Sequence, residues 1–114
     1  MNKVILLGRL ARDPEMKRTQ SGMSVARMTL AVNRNGKDKG VDFISLVAFD
    51  KTADFAERNL SKGRQVLVDG RIQTGSYEKD GRKVYTFDVF VNSLEFADSK
   101  PKQEQADGGD VVPF

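Results

Sequence analysis

A chain of 114 residues, 39% of them hydrophobic, has the length for one domain with one modest core. It contains no cysteine and no histidine, which excludes disulfides, thiolate metal sites and imidazole acid–base chemistry. The net charge of +3 is unevenly spread: residues 1–98 hold 17 Lys and Arg against 13 Asp and Glu, while residues 103–114 hold three acids, Glu104, Asp107 and Asp110, and no base.

Residues 2–12, NKVILLGRLAR, alternate in part, with Val4, Leu6 and Leu10 on one side and Lys3, Ile5, Leu7 and Arg9 on the other. This predicts a first strand, with Gly8 marking a bend or a close backbone approach. DPEMKRTQSG, 13–22, reads as a loop with a turn signal at Ser21-Gly22. MSVARMTLAVN, 23–33, is a second strand, RNGKDKG a basic turn, and VDFISLVAFD, 41–50, a third strand. In KTADFAERNLSKG, 51–63, the period changes to helical at Ala53, Ala56 and Leu60, with Asp50 or Thr52 to cap the start and Gly63 to end it. RQVLVDGRIQT, 64–74, is a fourth strand. SYEKDGRKVYTFDVFVNSLEFA, 76–97, turns at Asp80-Gly81 into a long fifth arm, so a hairpin protrudes between the fourth and fifth strands. From Asp98 the composition is too polar for a core, which predicts a domain over 1–97 and a disordered tail over 98–114.

Three strands, one helix and two more strands predict an all-β fold: a five-stranded barrel of the oligonucleotide/oligosaccharide-binding type (OB-fold), with the helix between strands three and four. A small sandwich is the competing architecture, but it does not usually carry a helix at that point. No stretch has the apolar length of a membrane span or a signal peptide, and strand-like sequence begins at the first residues. The expectation is an unexported, cytoplasmic protein without a membrane partner.

The third strand is apolar on both faces. Ile44, Leu46 and Ala48 share one side; Phe43, Val47 and Phe49 share the other, with Ser45 between them. Phe43 and Phe49 are either core residues, with Ile44 and Leu46 under the helix or a subunit contact, or an outward aromatic surface. The surroundings favour the second. Arg34, Lys37 and Lys39 precede the strand, Lys51 follows it, and the hairpin adds Tyr77, Lys79, Arg82 and Lys83; Arg9 and Lys62 complete the candidate phosphate contacts. Rings among cations suit single-stranded nucleic acid, because bases stack on rings while phosphates seek positive charge. Apolar residues on both parities of the first and third strands also exceed what one small barrel buries, which predicts a subunit interface.

Four segments, NKVILLGRLARDPE, TLAVNR, FISLVAFDKTAD and KGRQVLVDGRIQTGSYEKDGRKVY, together resemble the bacterial single-stranded DNA-binding proteins, as does GGDVVPF at residues 108–114. The resemblance implies an OB-fold homotetramer that wraps single-stranded DNA without sequence preference during replication, recombination and repair. It puts stacking aromatics at Phe43, Phe49 and Tyr77. It also makes Asp110, Val111, Val112, Pro113 and Phe114 an acidic, apolar tip that recruits replication and repair proteins, Phe114 entering a partner's pocket and its carboxylate pairing with a cation. Two departures stand out: Asn35-Gly36-Lys37 where the family usually has another aromatic, and Ser45 where a basic residue is common.

Two other readings share the barrel. An RNA-binding barrel of the translation or cold-shock type would prefer RNA, and a protein-interaction adaptor would bury Phe43 and Phe49. Catalysis is not expected: the carboxylates are scattered over turns, with no base–nucleophile pair, no metal-ligand spacing and no cofactor motif.

Overall fold

The computed structural model describes residues 1–37 and 39–97. Its strands are β1 (Val4–Leu10), β2 (Glu15–Arg18), β3 (Ser24–Asn33), β4 (Val41–Phe49), β5 (Gln65–Lys79) and β6 (Arg82–Phe96), with one helix, α1 (Asp50–Asn59), between β4 and β5. The sheet runs β1-β5-β6-β4-β3, and β1 pairs again with β3 at Arg9↔Ala31 and Leu10↔Leu30. Five strands thereby close into the expected OB-type barrel.

Closure depends on a glycine. A Cβ on Gly8 would sit against the Ala31 carbonyl oxygen, well inside contact distance, and 3.1 Å from Leu30 Cγ. The close approach expected at this position is therefore the point where β1 swings onto β3. The inward parity of each strand supplies the core: Leu10, Leu30, Leu46, Val66, Val68 and Val89 are all fully buried. Small Ala53 and Ala56 bring α1 close to β3, β4 and β6.

The segment read as a loop over 13–22 contains a strand. Glu15–Arg18 pairs antiparallel with Ser24–Arg27, so β2 lies along the same edge of β3 as the end of β1. Pro14, which has no N–H to donate, stands at the break between the two. Three of the four residues of β2 are charged and only Met16 turns inward, too short a pattern to read as alternation.

The helix caps also differ from expectation. Phe49 occupies the N-cap in an extended conformation without a side-chain cap, and Asp50 opens the helix at φ 56. Helix α1 stops at Asn59, so Gly63 belongs to the turn that follows, where Arg64 N–H donates to the Ser61 carbonyl. The predicted hairpin turn holds. Asp80 and Gly81 both have positive φ, 51 and 76, the geometry of a two-residue turn matched to strand twist. Pairing continues to Lys79↔Arg82, carrying β5 and β6 well beyond the barrel wall.

Candidate nucleic-acid interface

Strand parity and register place the candidate side chains. On β4 the outward set is Phe43, Ser45, Val47 and Phe49, facing away from buried Leu46 and Ala48. Phe43 is 67% exposed and Phe49 37%, so neither ring belongs to the core and the adaptor reading loses its premise. One row of paired residues crosses this face: Glu15 on β2, Arg27 on β3, Val47 on β4, Phe90 on β6 and Arg71 on β5.

The row builds a braced aromatic patch. The Phe49 and Phe90 rings lie 5.4 Å apart at 52°, and the Arg71 guanidinium stands 5.3 Å from the Phe90 ring centroid. Arg27, opposite Val47, lies 3.8 Å from Asp88 on β6, and Val47, between Arg27 and Phe90 in the register, is buried although it points outward. Along the β3 side, Arg12 donates to Thr29 Oγ1 at 3.4 Å, and Thr29 is paired with Ser45. A cleft opens there, lined by Arg12, Asp13, Glu15, Arg27, Thr29 and Ser45 among others.

Tyr77 is 53% exposed, and its parity with Arg71 on β5 puts it on the same face, about 20 Å further out along the hairpin. The three rings singled out in the sequence thus share one surface. The cations are more dispersed. Exposed Lys37 and Lys39 lie in the β3–β4 turn near Phe43, and Lys51 follows Phe49. Arg34, in the same turn, donates from Nε and Nη2 to one Asp42 oxygen at 3.0 and 2.9 Å. Arg9 shares a row with Ala31 and Phe43, but its guanidinium donates to the Gly63 carbonyl at 2.9 Å, next to Lys62, whose backbone N–H is held by Asp13. Lys79 and Arg82 form the last hairpin pair. Lys83 falls on the opposite hairpin face, its Nζ 5.8 Å from the Tyr85 ring centroid, with exposed Phe87 on the same side.

Arg12, Arg27, Arg71 and Phe90 were not among the residues singled out in the sequence. Arg27 had a signal: it interrupts the outward parity Val25-Arg27-Thr29 of a strand whose other face is apolar. Phe90 had none, because its neighbours are set by the β4–β6 pairing. The tip residues Asp110, Val111, Val112, Pro113 and Phe114 lie outside the described residues. Among the described residues no group of acidic side chains could hold a metal ion, and no helix is long and apolar enough to cross a membrane.

Comparison with known proteins matches residues 1–97 to the model of the single-strand binding protein family. The chain is 54% identical over 101 residues to a single-stranded DNA-binding protein of Clostridium perfringens, covering 87% of this chain and 67% of the relative. It is 47% identical over 105 residues to single-stranded DNA-binding protein 1 of Staphylococcus aureus, covering 88% and 67%. The corresponding protein of Fusobacterium nucleatum is 45% identical over 106 residues, covering 88% and 69%.

Proposed function

This chain belongs to the single-strand binding protein family, and from that premise we infer that it binds single-stranded DNA, coating and protecting it during replication, recombination and repair. The observation that carries the reading is the outward face of β4 and its neighbours, where Phe43, Phe49 and Phe90 stand among Arg12, Arg27, Arg71, Lys37, Lys39 and Lys51. Bases stack on the rings and phosphates meet the cations, with no demand on sequence because every base has a π-face. Duplex DNA hides those faces, so preference for single strands follows from the same chemistry. The names of the relatives favour DNA over the RNA-binding alternative.

Around this core we place the finer assignments. Residues 1–97 form the binding domain, with Phe43, Phe49 and Tyr77 stacking on bases. Arg9, Arg34, Lys37, Lys39, Lys51, Lys62, Lys79 and Arg82 supply phosphate contacts, with Lys83 adding one from the other face of the hairpin, and those already held by a carboxylate or carbonyl exchange that partner. Exposed apolar side chains on β1 support assembly into a homotetramer. Residues 98–114 act as a tail whose Asp110–Phe114 segment, acidic then apolar, recruits replication and repair proteins in the cytoplasm at the nucleoid.

Anisotropy of a labelled oligo-dT tests the core assignment in wild type and in Phe43→Ala, Phe49→Ala and Tyr77→Ala, with duplex and RNA as competitors and circular dichroism as the folding check. The expected outcome is tight binding to the single strand, weakly competed by duplex. Each folded variant should lose about 1–3 kcal/mol of binding, the range that single-strand-binding proteins of this kind show per stacked base. Folded variants that bind like wild type would remove the rings from the interface. A chain cut after Ala106 addresses the tail in the same assay. Removing two acids should tighten DNA binding at low salt if the tail competes for the basic face, and unchanged affinity would sink that competition.

A further inference from the structure

Between Phe43 and Phe49, strand β4 carries no charge on its outward face: the two intervening side chains are Ser45 and Val47. The rings are six residues apart, about 20 Å of strand, and a nucleic-acid backbone crossing that span brings phosphates with it. Any cation for them has to come from a neighbouring strand. The register supplies it, because Arg27 of β3 lies opposite Val47 and Arg12 is held on Thr29, opposite Ser45.

Arg27 is engaged in the free protein, but loosely. Its Nη1 lies 3.8 Å from Asp88 Oδ1, at the long end of an ion pair, and its side chain is 50% exposed while that of Asp88 is only 17% exposed. Glu15 is paired with Arg27 from the other side, across the β2–β3 ladder. The guanidinium thus has one carboxylate, Asp88, within ion-pair distance and a second, Glu15, on the neighbouring strand. A half-exposed pair at that distance is weakly held, and a phosphate offers the same fork a stronger bidentate partner.

We propose that Arg27, with Arg12 and Thr29 beside it, forms a phosphate subsite between the Phe43 and Phe49 stacking positions, and that Asp88 occupies Arg27 until the DNA backbone displaces it. The proposal rests on the single-strand binding assigned above and adds to it the residues that set its salt dependence. Asp88 is then a positioning residue. It keeps Arg27 over Val47, and its displacement subtracts from affinity at every phosphate gained there.

Binding of labelled oligo-dT across a salt series tests this in Arg27→Gln, Asp88→Asn, the double variant and Arg27→Lys, each checked for fold by circular dichroism. Glu57→Gln, on the exposed side of α1, makes the same charge change as Asp88→Asn away from the cleft. Arg27→Gln should weaken binding about fivefold to tenfold at low salt and lower the slope of log affinity against log salt by about 0.7, one phosphate for a single strand, while Arg27→Lys retains the slope. Asp88→Asn should tighten binding several-fold beyond Glu57→Gln, and that gain should disappear when Arg27 is already Gln. An additive gain in the double variant, an equal gain from Glu57→Gln, or an unchanged slope in Arg27→Gln overturns the proposal. Failure of wild type to bind oligo-dT at all would overturn the function itself, a different outcome read in the same titration.

Discussion

Phe43 and Phe90 share a face of the sheet but not an environment, and that difference separates binding from folding. Phe43 is 67% exposed, so truncating it removes a stacking surface and little packing. Phe90 is half-buried, with the Phe49 ring 5.4 Å on one side and the Arg71 guanidinium 5.3 Å on the other. It braces the ring beside it as well as presenting its own. Phe43→Ala should therefore cost less than about 0.5 kcal/mol in urea unfolding, as exposed substitutions do. Phe90→Ala should cost about 2 kcal/mol, below the range for a fully buried ring, and weaken oligo-dT binding through the loss of Phe49's support. Equal unfolding midpoints for the two variants would show that Phe90 braces nothing.

The elements were legible in the sequence where a pattern repeated, and illegible where pairing decided. Partial alternation along Val4–Leu10 and the β-branched and aromatic run of the hairpin's second arm gave strands, and Asp80-Gly81 gave the turn, because each signal is local. Phe43 and Phe49 were visible as an outward pair because β4 has an apolar residue on each side at nearly every step. Arg71 and Phe90 were not, since what joins them to Phe49 is register across three strands. The same limit hid β2, a strand only by virtue of its partner β3. Gly8 falls between these cases: its presence hinted at a close approach, but the Ala31 carbonyl it meets comes from the barrel seam. A methyl there must push β1 away from β3, where the pairs of Arg9 and Leu10 and the Ala11 N–H donated to the Thr29 carbonyl hold the closure. Gly8→Ala should lower stability by about 1–3 kcal/mol, read as a lower urea midpoint with an unchanged slope. A midpoint equal to wild type would mean that the seam yields without cost.

For the whole molecule, the faces still uncovered indicate what it assembles with. On the outer side of β1, Ile5 is 64% and Leu7 50% exposed; Leu7 is paired with exposed Leu67 on β5, and the Lys3–Asp69 ion pair at 3.1 Å flanks them. Leaving such a row in water forfeits the burial its side chains offer. Beside it, β1 meets β3 only at its last two residues, so among the described residues the edge from Val4 to Gly8 pairs on the β5 side alone. An open strand edge next to an apolar row is suited to a second copy of the same strand, which would cover both at once and continue the sheet. For the homotetramer proposed above, sedimentation at micromolar concentration should give wild type a mass near four times 12.7 kDa. Leu7→Glu, which puts a charge into the row without touching the core, should shift that mass toward the monomer with an unchanged circular dichroism spectrum. A wild type that sediments as a monomer would remove the interface. A Leu7→Glu tetramer would move it elsewhere, for example to the side of the hairpin where Tyr85 and Phe87 are exposed.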